Sequence, residues 1–514
     1  MYELIRDTTL GHILHAVSGG RLFGWEEDYN DNTLQRYVST GTNVDTPNPL
    51  QPRASAPQEG PSDSNTSLEK ETEAEAEKGK DYELIDWLPN DPANPRKWST
   101  GKKFFVTFEI CFLTTSVYIG SAIYTAGLEG VVEKFHVSQV AATLGLSLFV
   151  IGYATGPMIF SSMSEVPYIG RTRVYIATLV VFVAFNFAVV YAKNFGMLLA
   201  FRFLTGFFGS PVLATGGATI ADMYAPNKQV FGIAIWGISA VCGPALGPLV
   251  GGFAAENKGW KWPIWELIWL SGFCLVFLII FLPETSASNI LFRRATRLRK
   301  RTGNMKLKTQ SEIDAENFTG KDVVMMVLVR PFTLSFTEPI IFALNLYIAL
   351  VYALLYLWFE SFPIVFMGIY GFSLGTLGLS YLGIMVGALL CIPPFFYWAY
   401  KYLEPKFNEN GELRPELRLI PALFGCFCIP ICLFWFGWSA RPSIHWIMPI
   451  IGSAWFSIGA FCMFMSVLAY LGDAYPKYIA EVYAGNDLFR SGFAAAFPLF
   501  GSAMYVFRYP SLEL

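Results

Sequence analysis

The sequence predicts an all-helical protein that crosses a lipid bilayer many times, and three observations carry that prediction. The 514 residues are 53% hydrophobic and 16% aromatic but only 15% charged, with a mean hydropathy of +0.41, a composition too apolar for a water-soluble globule. From Phe104 onward the apolar residues fall into successive runs of roughly twenty, the length a helix needs to cross about 30 Å of hydrocarbon. A strongly basic loop divides these runs into a block of six and a block of five.

The same composition excludes other classes. The formal charge of −3 leaves no basic stripe longer than one loop, so nucleic acid is not an expected partner. The eight cysteines all lie in apolar runs, where thiols act as small hydrophobes, so neither a disulfide framework nor a metal centre is expected. The four histidines, His12, His15, His136 and His445, fall in the tail or at run ends, so a proton relay must use carboxylates. No nucleophile turn, phosphate loop or cofactor fingerprint occurs in the required context, so the chain reads as no enzyme and needs no cofactor.

Residues 1–100 read as a hydrophilic, largely disordered tail containing the acidic run Glu69–Lys78, which cannot bury enough apolar surface to order itself. Its start, Tyr2 to His15, has helical spacing of apolar residues and is suited to lie on the membrane surface or dock on the body of the protein. The first half, residues 101–284, holds spans near Phe104–Ala126, Val140–Met163, Val174–Ala192, Met197–Met223, Val230–Ala254 and Ile264–Pro283. Residues 285–337 form the basic linker. The second half, residues 338–514, holds spans near Pro339–Glu360, Leu374–Tyr400, Leu419–Trp438, Ile444–Leu471 and Leu488–Phe507. After Phe507 there is no room for another span, so the second half is expected to lack its last helix, as in a shortened or mispredicted gene product.

Orientation follows from Arg293, Arg294, Arg297, Arg299, Lys300, Arg301, Lys306 and Lys308, because positive loops stay cytoplasmic. The amino terminus is then cytoplasmic too. Asn65-Thr-Ser67 and Asn317-Phe-Thr319 match the glycosylation pattern but fall on the cytosolic side, where they should be unmodified.

The most specific run lies in the fifth span. Gly243, Gly247 and Gly251 recur every four residues and form a side-chain-free stripe for close helix packing, with Gly252 beside it. Pro244 and Pro248 share that spacing; each removes a donor and crowds the preceding turn, so a local bend is expected. Such a run is at home in a membrane span, where neighbouring helices and water satisfy the freed carbonyls.

Taken with its neighbours, this run resembles the antiporter signature of the major facilitator superfamily, and in particular of the fungal twelve-span drug:proton antiporters. The resemblance covers about Asp86 to Tyr505. It rests also on Asp91-Pro-Ala-Asn-Pro95-Arg-Lys-Trp98, on Ser164-Glu165 followed by Gly170-Arg171-Thr-Arg173, and on Leu198-Leu-Ala-Phe-Arg202-Phe-Leu-Thr-Gly206. Gly259-Trp260-Lys-Trp262, Leu282-Pro283-Glu284-Thr285, Arg330-Pro331, Glu338-Pro339 and Ala494-Ala-Ala-Phe-Pro498-Leu-Phe500 complete it. It implies the major facilitator fold of two six-helix halves and proton-coupled export of hydrophobic or amphipathic compounds across the plasma membrane by a monomer. Export of polyamines or of one endogenous metabolite, and a truncated product that does not transport, stay open as alternatives.

Residue by residue, Arg202 is a cation deep in the fourth span that must face protein or water, and in the resemblance it belongs to proton transfer. Glu109, early in the first span, is a candidate proton carrier or a residue that reaches water at the cytoplasmic edge. Glu165, Gly170, Arg171, Arg173 and Asp222 form a candidate cytoplasmic gate built on ion pairing. Arg490 reads as a cytosolic anchor. Asn345, Tyr347, Tyr352, Tyr356, Trp358, Glu360, Phe461 and Phe464 are candidates to line a cavity for small hydrophobic or cationic substrates, or else pack against lipid.

Overall fold

A computed structural model describes residues 5–19, 21–25, 82–88, 91–316, 325–408, 412–475 and 478–506. The acidic run, both glycosylation patterns and the segment after Val506 lie outside the described residues. Helix α1 (Thr9–Val17) and strand β1 (Glu83–Leu84) precede the bundle. The first half contains α2 (Thr100–Ala122), α3 (Leu128–Phe135), α4 (Gln139–Glu165), α5 (Arg171–Val190), α6 (Phe195–Gly209), α7 (Pro211–Met223), α8 (Pro226–Lys258) and α9 (Trp262–Phe281). The linker carries α10 (Ala287–Thr302), β2 (Leu307–Lys308) and α11 (Gln310–Glu316). The second half contains α12 (Arg330–Thr337), α13 (Pro339–Phe362), α14 (Leu374–Ser380), α15 (Leu382–Trp398), α16 (Ile420–Ser439), α17 (Ile447–Ala474) and α18 (Ile479–Val506).

Among the described residues, ten segments, with adjoining turns merged, are long and apolar enough to cross a membrane. The last helix, α18, is not among those ten; its 28 residues extend about 42 Å at 1.5 Å per residue and pack along α13 and α4. Side-chain oxygens start several helices: Ser99, Ser138, Asn194 and Ser286 accept from first-turn amides of α2, α4, α6 and α10.

The fourth span, Phe195–Met223, carries a break: α6 and α7 part at Ser210, which itself keeps helical angles (φ −67°, ψ −30°), because Pro211 has no N–H to continue the ladder and is well suited to start a helix. The fifth span is one continuous helix from Pro226 to Lys258 with both prolines inside it. Packing on two sides holds it. A Cβ on Gly247 would lie 2.7 Å from Ile123 N, and one on Gly252 would lie 2.5 Å from the Leu374 carbonyl oxygen.

The seam between the halves follows from α8 lying beside α14 and α15. At one end Lys228 pairs with Glu404 at 2.6 Å; at the other, Glu256 Oε2 accepts from Gly375 N at 2.7 Å and caps α14. Between them Ala234 and Ile238 pack with Cys391, Phe395 and Phe461.

The ends of the hydrophilic tail are held on the linker. Thr8 bridges Pro283, and Arg293 Nη1 donates to His12 Nε2 at 2.7 Å. β1 pairs in parallel with β2, Glu83 opposite Leu307 and Leu84 opposite Lys308. Asp91 accepts both guanidinium nitrogens of buried Arg294, at 2.5 and 3.2 Å. The linker end of the bundle is thus defined by α1, β1, α10 and β2.

Candidate functional site: cavities and ion pairs between the halves

Two cavities lie between the halves, one toward each end. The linker-end cavity, about 340 Å³, is lined from both halves and includes Glu165, Arg171, Asp222, Arg418, Asp473, Asp487 and Arg490 among many apolar side chains. The distal cavity, about 560 Å³, is bordered by Glu129, Glu133, Gln139, Phe359, Glu360 and Tyr381.

A hydrogen-bonded group of tyrosines lies between them. Tyr153 of α4 donates to Tyr356 of α13 at 3.0 Å, its hydroxyl lies 2.9 Å from that of Tyr352, and Tyr356 donates to Ser121 Oγ at 3.1 Å. Tyr118 stands edge-on to Tyr153 with centroids 6.0 Å apart. Burying these hydroxyls is tolerated because each finds a partner, and the partners are in the opposite half. A small void of about 50 Å³ beside the group is lined by Tyr118, Tyr352, Phe464 and Arg490.

At the linker end each half carries one arginine–aspartate pair joining neighbouring spans. Arg171, at the start of α5, donates to Asp222 near the end of α7 at 2.7 Å. Arg418, just before α16, donates to Asp473 at the end of α17 at 2.8 Å. The pairs occupy equivalent places in the two halves.

Gly170 and Arg173 act differently from Arg171. Gly170 has φ +79°, and a Cβ there would lie 2.5 Å from Glu284 Oε2, so only glycine fits. Glu284, which follows α9, accepts from the amides of Arg171, Thr172, Thr285 and Ser286 and thereby locks the start of α5 to the linker. Arg173 donates to its own loop at the Tyr168 carbonyl, and Glu165 is exposed to the cavity.

Arg202 is fully buried and donates to the carbonyls of Gly145 and Gly120 at 2.9 Å and Ser121 at 3.4 Å, with Tyr124 and Phe149 rings on it at 4.6 and 4.5 Å. It therefore ties α2, α4 and α6 through carbonyls rather than a carboxylate. Glu109 is fully buried, lines neither cavity, and neither of its oxygens has a hydrogen-bond partner among the described residues.

Of the aromatic candidates, Tyr352 and Phe464 line the central void, Tyr356 belongs to the tyrosine group and Glu360 borders the distal cavity, with Thr143 donating to it at 3.5 Å across the seam. Trp358 packs inside the second half against Phe436 and Phe456, Phe461 packs against Phe395, and Tyr347 lines none of these cavities. Asn345 accepts from Asn486 at 2.9 Å and donates to Ser335, joining α12, α13 and α18.

The reading of Arg490 as a cytosolic anchor is corrected. It is 5% exposed, and its Nε donates to Asp487 Oδ1 at 2.7 Å, Asp487 being 3% exposed. Asp487 is the residue that sequence reasoning missed. An acid and an arginine three apart on the edge of an apolar run was the available signal.

Two helical halves with cavities at their seam and a buried ion pair beside one of them have the architecture of a transporter, and sequence comparison identifies one. The Major Facilitator Superfamily model matches residues 110–498, and the chain belongs to that family. It is 47% identical to Transporter mfs1 of Schizosaccharomyces pombe over 81% of this chain and 78% of that one. Fluconazole resistance protein 1 of Saccharomyces cerevisiae is 44% identical over 82% of this chain and 76% of its own length. Cycloheximide resistance protein of Candida maltosa is 36% identical over 98% and 92%. Among solved structures, the xylose transporter XylE of E. coli superposes with TM-score 0.51 at 15% identity, covering 79% of this chain and 99% of that one. The human organic anion transporter MFSD10 gives 0.53 at 15%, covering 78% and 94%. The group is that of the fungal multidrug-resistance transporters.

Proposed function

We propose that this chain is a proton-driven exporter of hydrophobic or amphipathic toxic compounds, acting as a monomer in the plasma membrane by alternating access. The observation that carries the reading is the tyrosine group: it spans the seam and separates a cavity at one end from a cavity at the other, both lined by the two halves. Opening either end requires the halves to rock, which breaks or remakes those few hydrogen bonds. Both cavities and the plug lie within one chain, which supports a monomer.

The mainly apolar lining suits hydrophobic compounds over sugars, whose hydroxyls need dense polar partners. The resistance names of the relatives at 36% and 44% identity point the same way. The arginine-rich α10 supports a cytoplasmic linker end and amino terminus.

Among the sequence candidates, the carbonyl-bound Arg202 fits a role in holding the first half together, and Glu109 stands apart from the transport path. The test is accumulation of radiolabelled cycloheximide and fluconazole by proteoliposomes under an imposed pH gradient. Uptake that is abolished by a protonophore is expected; no gradient-dependent uptake of either would refute the reading.

A further inference from the structure

Four carboxylates face the linker-end cavity among the described residues, and their settings differ sharply. Asp222 and Asp473 lie at the ends of their spans, each held by an arginine of the neighbouring span, and Glu165 is exposed. Asp487 alone is deeply buried, eight residues into α18, at the inner wall beneath the tyrosines. Its Oδ1 accepts from Arg490 Nε and Ser491 Oγ; its Oδ2 is buried with no hydrogen-bond partner among the described residues.

Arg490 extends this arrangement toward the plug. Its guanidinium carbon lies 5.2 Å from the Tyr352 ring centroid and 4.9 Å from that of Phe464. Tyr352 in turn shares a hydrogen bond with Tyr153 across the seam. Only two contacts therefore separate the carboxylate from the bond that closes the path.

We propose that Asp487 is the carboxylate at which proton and transported compound exchange, and that Arg490 is the positioning residue that passes its state to the tyrosine plug. The proposal rests on the exporter reading above. A half-satisfied anion in a cavity has a site ready for one proton, or for a cationic group of a substrate, and a buried ion pair held through one oxygen is easily altered.

With the distal end open, hydronium gives its proton to Oδ2 and leaves as water, while the compound departs. The neutral acid no longer holds the guanidinium, whose remaining contacts include the Tyr118 hydroxyl and the rings of Tyr352 and Phe464. With the linker end open, Asp487 returns the proton to water and re-forms the pair. One proton enters per cycle and no covalent bond is made elsewhere.

The experiment uses the full chain in proteoliposomes with cycloheximide or fluconazole, whichever the wild type moves. Two assays are compared: accumulation driven by a pH gradient, and exchange of labelled for unlabelled compound without one. Asp487→Asn is expected to lose gradient-driven accumulation, to keep exchange, and to lose the pH dependence of that exchange; Asp487→Glu should recover part of the accumulation. Arg490→Lys keeps the charge but not the planar fork, and should move the pH at which exchange is half-maximal, which a merely structural arginine would not do.

Accumulation by Asp487→Asn equal to wild type overturns the proposal. So does loss of both assays in a variant that melts like the wild type, because that is the outcome for a structural ion pair. If the wild type accumulates neither compound, the exporter reading falls and takes this one with it; if it accumulates and Asp487→Asn does too, only the Asp487 assignment falls.

Discussion

Tyr153 in the first half and Tyr356 in the second share a hydrogen bond of 3.0 Å, and the same Tyr153 hydroxyl lies 2.9 Å from that of Tyr352. One oxygen therefore holds two residues of the opposite half. Tyr153→Phe keeps the ring and its packing but removes both bonds, worth about 1–2 kcal/mol together, or roughly a tenfold shift between plugged and open states. In a background without the eight native cysteines, a thiol introduced by Val351→Cys beside the central void should react several-fold faster with a water-soluble reagent. An unchanged rate would show that the plug is held by packing alone.

The glycine stripe of α8 makes a sharper stability prediction. A Cβ on Gly247 would lie 2.7 Å from Ile123 N and 2.9 Å from Ala122 C, both backbone atoms that cannot step aside. Gly247→Ala should cost ~1–3 kcal/mol through overpacking and lower the melting temperature of the detergent-solubilised protein. Gly272→Ala, with nothing within 4 Å, is the control and should melt like the wild type.

The segment before α2 is fastened to the linker by the buried Asp91–Arg294 pair. Asp91→Asn leaves a buried cation short of its anion, which typically costs ~3–5 kcal/mol. Limited trypsin digestion should then cut faster within the arginine-rich α10. Adding Arg294→Met, which removes the stranded charge, should slow that cleavage relative to the single variant.

Docking of α1 should depend on pH. Arg293 can only donate, so His12 Nε2 must accept, and a protonated His12 cannot. Burial first and the Arg293 cation second hold the His12 pKa down from 6.5 to about 3, with Arg297 and Arg173 adding to the effect and Asp7 opposing it. The docked form thus binds fewer protons than the released form. Docking is fully present above pH 6.5 and weakens as pH falls from there toward 3. Hydrogen exchange of the α1 amides, corrected for its intrinsic pH dependence, should rise on acidification. His12→Gln should abolish that rise.

Much of the fold was legible because hydropathy and span length obey one physical constraint, the thickness of hydrocarbon. The positions of the spans followed from it, and the antiporter resemblance arranged them in two halves. What escaped depended on partners distant in sequence. The break at Ser210 was signalled by Pro211, yet Pro244 and Pro248 carry the same local signal and α8 continues; the difference lies in what packs on each helix, which the chain does not display locally.

The site was harder still. Starting the eleventh span at Leu488 put Asp487 outside it and left Arg490 at a membrane edge, whereas α18 begins at Ile479 and carries both inward. A boundary error of nine residues turned a buried ion pair into an apparent surface charge. Arg202 was read correctly as buried, but its carbonyl partners on α2 and α4 have no sequence signature.

The glycine-rich run of α8 looks like a single surface and is two. Gly243 and Gly247 abut α2 and Gly251 the turn just after it, all within their own half, whereas Gly252 meets the Leu374 carbonyl, and Gly378 meets the Pro248 carbonyl, across the seam. The first contact has no reason to part during a transport cycle; the second must part whenever the distal mouth widens. Where backbone touches backbone there are few rotamers to rearrange, so this latch can separate and reseat with little friction. A bulky side chain on its seam face would act as a wedge, favouring the open mouth without touching the compound that passes through it.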